Sequence, residues 1–145
     1  MKALIQRVSR AKVTAEGKVT GEIGKGILVF LGITHDDTKK DADYLVEKIA
    51  KMRLFPSENS GFDRSLEEVE GSLLVVSQFT LHASAKKGRR PDFTASAKPE
   101  LAESLYNLFI KKAREKGLNT ATGQFGAMMD VELINDGPVT LMIES

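Results

Sequence analysis

The chain has 145 residues, 41% of them apolar and 28% charged, with no cysteine and a formal net charge of +1. This suits one globular domain, 1–145, able to remove roughly 70% of its unfolded surface from water, and it excludes disorder, a disulfide framework and thiolate chemistry. No apolar run is long enough for a membrane span and Gln6-Arg7 interrupts any signal-peptide core, so a cytoplasmic protein is expected, in which nucleic-acid binding must rest on local charge clusters.

The first third reads as β. "ALIQRVSRAKVTA" alternates apolar with polar residues, Gly17 marks a turn, and "KVTGEI" leads through Gly24 and Gly26 to "GILVFLGI". That last run is apolar throughout and is expected as a central strand buried on both faces. Ala42, Leu45, Val46, Ile49 and Ala50 then recur at helical spacing, with Asp36, Asp37 and Thr38 available as caps. "SLLVVSQFTL" returns to strand. A second helix is expected over "KPELAESLYNLFIKKAREKG", with Pro99 in its first turn, Leu101, Leu105, Leu108 and Phe109 on one face, and Gly117 past its end. The tail offers short strands with turns at Gly123 and at Asn135-Asp136-Gly137. The order β-rich/βα/βα/β-rich predicts an α/β fold of layered β-sheets with two amphipathic helices. The uncovered sheet face packs on the terminal hairpins or on a second copy, because "VTLMIES" is an apolar strand with little after it to shield its edge.

Familiar catalytic signatures are missing: there is no H-E-x-x-H, Walker A, G-x-G-x-x-G or G-x-S-x-G pattern. His35 before Asp36-Asp37 is read as an exposed helix start; no metal is assigned and no cofactor is expected. "SQFTLH", 77–82, carries the most reactive-looking groups. As a strand it sets Gln78, Thr80 and His82 on one face, where a threonine beside a histidine has the makings of a nucleophile and its base. The same pattern also describes a strand end with one polar face in water. Downstream, "KKGRRPDF" clusters Lys86, Lys87, Arg89 and Arg90 around Gly88. Four cations next to a candidate site suit a phosphate backbone, and equally a solvated loop. Arg7, on an apolar strand, either snorkels outward or is held by acceptors.

Together, "SQFTL" (77–81), "GRRPDF" (88–93) and "NDGPVT" (135–140) resemble the D-aminoacyl-tRNA deacylase family, also called D-tyrosyl-tRNA deacylase. "ALIQRV", "TGEIGKG" and "NTATGQFGA" extend the likeness over the whole chain. The resemblance implies a cytoplasmic homodimer that hydrolyses the ester joining a D-amino acid to the 3′-terminal adenosine of tRNA, releasing both. It implies that Gly137-Pro138 is cis and enters the partner's site, where its carbonyls receive the substrate's amino group and its bulk turns away L-amino acids. Glycine has no side chain to clash, so leakage onto glycyl-tRNA is expected. Backbone N–H groups near Phe79 and Thr80 are the expected oxyanion hole. Thr80 is expected to position the ester or the water, Ser77 and Gln78 to shape the adenosine pocket, and the ribose 2′-hydroxyl to assist. Arg7 is expected to brace the Gly-Pro loop, Lys86, Lys87, Arg89 and Arg90 to meet tRNA, and "FGAMMD" (125–130) to line the pocket near adenine unless Met128 and Met129 are core. The rival readings are editing of an L-amino acid mischarge on the same fold, a non-catalytic RNA-binding module and a general small-ester hydrolase.

Overall fold

A computed structural model describes residues 1–86 and 88–145. It has six strands, β1 (Lys2–Ala15), β2 (Lys18–Ile23), β3 (Gly26–Gly32), β4 (Ser72–Ser77), β5 (Asn119–Thr122) and β6 (Met129–Glu144), and two helices, α1 (Lys39–Lys51) and α2 (Pro99–Glu115). β1 and β2 form a hairpin whose turn residues Glu16 and Gly17 both have positive φ, 50° and 75°, the backbone that a two-residue turn between twisted strands requires.

The two expected sheet segments are one sheet, because β3 belongs to both. It pairs antiparallel with the first half of β1 and parallel with β4, which pairs parallel with β5. The parallel pairs need long crossovers, and α1 and α2 supply them on the same face. Ile27, Val29 and Leu31 of β3 and Leu73 and Val75 of β4 pack beneath the helices, while Leu28, Leu74 and Val76 belong to a second core on the other face. The central strand is therefore buried on both sides, as its unbroken apolar sequence predicts.

The second core is covered by the sheet's own curvature. Val13 and Ile23 of the first hairpin, with Met129, Val131 and Leu133 of β6, close over it. The sheet is nearly barrel-shaped, and β2 comes so near β5 that a Cβ at Gly21 would collide with the carbonyl oxygen of Thr122. Neither backbone can retreat, so Gly21→Ala is expected to destabilise the fold by about 1–3 kcal/mol. Urea denaturation tests this; an unchanged midpoint would mean that the curl is loose.

The five predicted core positions of α1 are its buried residues, and the helix starts with a capping box between Thr38 and Asp41. Asp37 serves elsewhere, pairing with the Met1 ammonium and accepting the Thr34 N–H at 2.7 Å. α2 is rotated from the expected face. Its buried residues are Leu105, Tyr106, Phe109, Ile110 and Ala113, while Leu101 is exposed. Gly117 follows its end with φ 89°. Among the described residues no helix is long and apolar enough to cross a membrane.

The tail departs most from expectation. No turn ends a strand at Asn135-Asp136-Gly137, since both flanks of that segment pair with β1, making β6 one strand of 16 residues. Gln6 faces Thr140 and Val8 faces Asn135, so residues 136–139 are extruded opposite Arg7 alone. Local turn chemistry makes the bulge; pairing on both sides keeps the strand continuous.

Candidate active site

β4 ends at Ser77, and here the strand reading fails. Gln78 N–H still bonds Leu31 O at 2.8 Å, as a next rung of the ladder. β3 has then run out at Gly32, and residues Phe79–His82 coil into a 3₁₀ turn. Gln78, Thr80 and His82 thus share no strand face. The Gln78 side-chain amide donates to Thr80 Oγ1, while His82 Nε2 is buried without a partner among the described residues. Thr80 and His82 are not joined.

The turn leaves two donors open. Leu81 N–H bonds Gln78 O at 3.2 Å and Ala83 N–H bonds Thr80 O at 3.0 Å, but Phe79 and Thr80 N–H have no acceptor among the described residues. First-turn N–H groups always lack an internal partner. Thr80 Oγ1 accepts from Gln78, which leaves its hydroxyl proton for a ligand.

Beside these groups lies a cleft of about 620 Å³. Ser77, Gln78 and Phe79 form one wall, Phe93, Ser96 and Pro99 another, and Phe125 to Met129 a third. Met129 also packs into the second core, whereas Met128 is 91% exposed at the lip. Phe79 and Phe93 meet edge to face at 5.2 Å, and Ser96 Oγ donates to Phe79 O at 2.9 Å. Behind Phe125 stands Tyr106, 5.7 Å between ring centroids. Burial pushes the Tyr106 phenol up to about 12, so it stays protonated and donates to Val75 O at 2.9 Å.

Ser96 belongs to no sequence motif, and Phe93, which closes "GRRPDF", is not marked there as a residue of the site. They come from the loop after the basic cluster, and only its fold brings them back to the turn. Ser84 and Asp92 exchange two backbone bonds of 2.8 Å, which closes the loop and makes Lys86, Arg89 and Arg90 its exposed tip. Lys87, the fourth expected cation, lies outside the described residues. The Asp92 carboxyl is held below its ordinary range, mainly by the Thr94 backbone N–H at 2.9 Å. That hydrogen bond contributes fully above the ordinary Asp range and is lost as pH falls through the depressed value. Exchange of the Thr94 amide, corrected for its intrinsic rate, should therefore accelerate only below the ordinary Asp range; equal protection with Asp92 protonated would contradict this.

Gly137 and Pro138 lie elsewhere. Among the described residues none from 135 to 139 lines this cleft. Both are exposed at the crest of the β6 bulge, and their peptide bond is cis. The bulge is clamped at its base by Asn135, whose side chain accepts the Val139 N–H and donates to Val139 O, both at 3.0 Å. A Cβ at Gly137 would strike Val139 N and crowd Asn135 Oδ1, so the clamp needs glycine.

Arg7 is held by acceptors and does not snorkel. Its Nε donates to Asp136 O at 2.7 Å and lies 3.4 Å from the Asp136 carboxylate. Its Nη1 donates to Leu54 O, and the guanidinium sits 5.9 Å from the centre of the Phe62 ring. One buried cation ties the bulge to the segment after α1.

The cleft thus borders a turn with two open main-chain donors, of which Phe79 lines it and Thr80 does not, and comparison with known proteins gives the family. The family model described as D-Tyr-tRNA(Tyr) deacylase matches residues 4–144. Proteins named D-aminoacyl-tRNA deacylase from Clostridioides difficile and Exiguobacterium sibiricum are each 53% identical, over 100% and 99% of this chain and 97% and 99% of theirs. A solved structure named c-Myc DNA Unwinding Element Binding Protein superposes with a TM-score of 0.93 at 42% identity, covering 100% of this chain and 99% of its own. Another, a probable eukaryotic D-amino acid tRNA deacylase, has a TM-score of 0.86 over 99% and 98% of the two chains; at 18% identity it speaks for the fold alone. The chain belongs to the D-Tyr-tRNA(Tyr) deacylase family and is an enzyme, a hydrolase.

Proposed function

We propose that this enzyme is a cytoplasmic homodimer that hydrolyses the ester of D-aminoacyl-tRNA, with Gly137-Pro138 of each protomer forming part of the other's site. Water adds to the ester carbonyl, the bond to the ribose 3′-oxygen breaks, and a free D-amino acid and tRNA leave. Phe79 and Thr80 N–H receive the oxyanion, where fixed donors need no reorganisation as charge builds. Thr80 holds the ester, Ser77 and Gln78 shape the adenosine end of the cleft, and the ribose 2′-hydroxyl assists the water. Lys86, Lys87, Arg89 and Arg90 meet the acceptor-stem phosphates, each contact releasing counterions.

The observation that carries this reading is the braced bulge. A Gly-Pro crest held by Arg7 and Asn135, yet absent from the walls of its own cleft, supports a role in another molecule's site. The same strand supplies a surface for a second copy, since β6 pairs with β1 alone and leaves Ile134, Leu141 and Met142 exposed at 48%, 40% and 47%. With amine and ester both fixed, a D side chain projects outward while an L side chain meets the crest, so rejection works by clash without reading the side chain. Glycyl-tRNA escapes the clash and is cleaved.

Incubating purified protein with D- and L-tyrosyl-tRNA tests the reading. Release of tyrosine from the D ester alone is expected. Equal cleavage of both would favour L-mischarge editing, and no cleavage of either would favour an RNA-binding module.

A further inference from the structure

We propose that His35 is a positioning residue for substrate binding, acting through the loop that forms the Phe93 wall of the cleft. Beyond the end of β3, Thr34 forms an antiparallel bridge with Ser96. Thr34 Oγ1 donates to Ala95 O at 2.5 Å, and Ala97 N–H bonds Ile33 O at 2.9 Å. His35 Nε2 adds a bond of 2.7 Å to Thr94 O. A carbonyl can only accept, so the imidazole carries its proton on Nε2.

These contacts form a clasp, and what they hold is one side of the site. Phe93 and Ser96 line the cleft, and the basic tip enters the same loop through Asp92. His35 touches the segment between them and lines no part of the cleft itself. Its loss leaves the Phe79 and Thr80 donors in place, because their turn hangs from Leu31 through Gln78 N–H. Binding should weaken while the chemical step persists.

The geometry sets a discriminating test, since a glutamine amide nitrogen stands at the reach of Nε2 and an asparagine amide nitrogen at that of Nδ1. His35→Ala and His35→Asn should raise KM for D-tyrosyl-tRNA about three- to tenfold, the scale of one hydrogen bond, with kcat within about twofold. His35→Gln should stay near wild type. Unchanged KM in the alanine variant, rescue by Asn as full as by Gln, or a fall in kcat at constant KM would overturn the role.

The substrate in this test rests on the function proposed above, so a second readout is independent of it. Hydrogen exchange of the Ala97 amide should quicken in the Ala and Asn variants and not in the Gln variant, whatever the enzyme cleaves. Identical exchange in all three would sink the clasp; failure of the wild type on D-tyrosyl-tRNA would sink only the substrate.

Discussion

Replacing Arg7 by methionine is expected to destabilise the protein by about 2–4 kcal/mol and to lower the rate on D-tyrosyl-tRNA by about 10²-fold or more. The stability loss follows from the acceptors left behind. Arg7 Nη1 and Nε serve the carbonyls of Leu54 and Asp136, and the partly buried Asp136 carboxylate lies beside the same cation. Methionine keeps the apolar stem and leaves the carbonyls unpaired, a penalty of about 1–3 kcal/mol each when fully buried. The rate loss follows from position. In the role proposed for it the crest needs its brace, since a misplacement of about 1 Å in a substrate-holding group costs about 10². Lysine should not rescue, because a point charge on one stem cannot serve both carbonyls as a planar fork does. Urea denaturation and single-turnover hydrolysis check the two halves. Wild-type activity in a well-folded methionine variant would show that the crest has no role in the reaction.

The second large effect concerns the main-chain donors. Phe79 opens the 3₁₀ turn after Gln78, φ −143° and ψ 78°, and proline at this first position removes an N–H that has no partner inside the turn. Proline also removes the ring that meets Phe93, so alanine is the control. Phe79→Ala should lose binding through the missing edge-to-face contact. Phe79→Pro should fall below the alanine variant by a further 10²–10³ in kcat, about 2.7–4 kcal/mol of transition-state stabilisation. Similar kcat values in the two would move the oxyanion hole elsewhere.

How much of the molecule is legible in its sequence depends on how far each feature relies on distant residues. α1 is plain, since all five of its core positions follow from spacing and its cap from Thr38. In α2 the period shows a helix but not its phase. Leu101 and Leu108 compete with Tyr106, Ile110 and Ala113 for the inward face, and contact with the sheet decides between them. "SQFTLH" alternates like a strand, yet β3 ends and gives it nothing to pair with. Asn135-Asp136-Gly137 has turn chemistry, but β1 is long enough to pair on both sides of it, which turns a chain reversal into a bulge. The motif residues themselves are visible because they are uncommon together. Ser96 lies in none of the motifs, and the roles of Phe93 and Asn135, which do, stay hidden: Phe93 reaches the cleft only through a long-range fold, and Asn135 clamps a bulge that exists only because β1 pairs on both sides of it.

A mixed-dimer measurement tests the composite site most directly. Arg7→Met damages only the crest and Phe79→Pro only the cleft, so a heterodimer of the two holds one doubly damaged site and one intact site. Random exchange at equal amounts should restore about a quarter of wild-type activity on D-tyrosyl-tRNA from two nearly inactive parents. If native mass spectrometry shows the heterodimer formed while activity stays at the parental level, each protomer completes its own site and handedness is not sorted by the partner's crest.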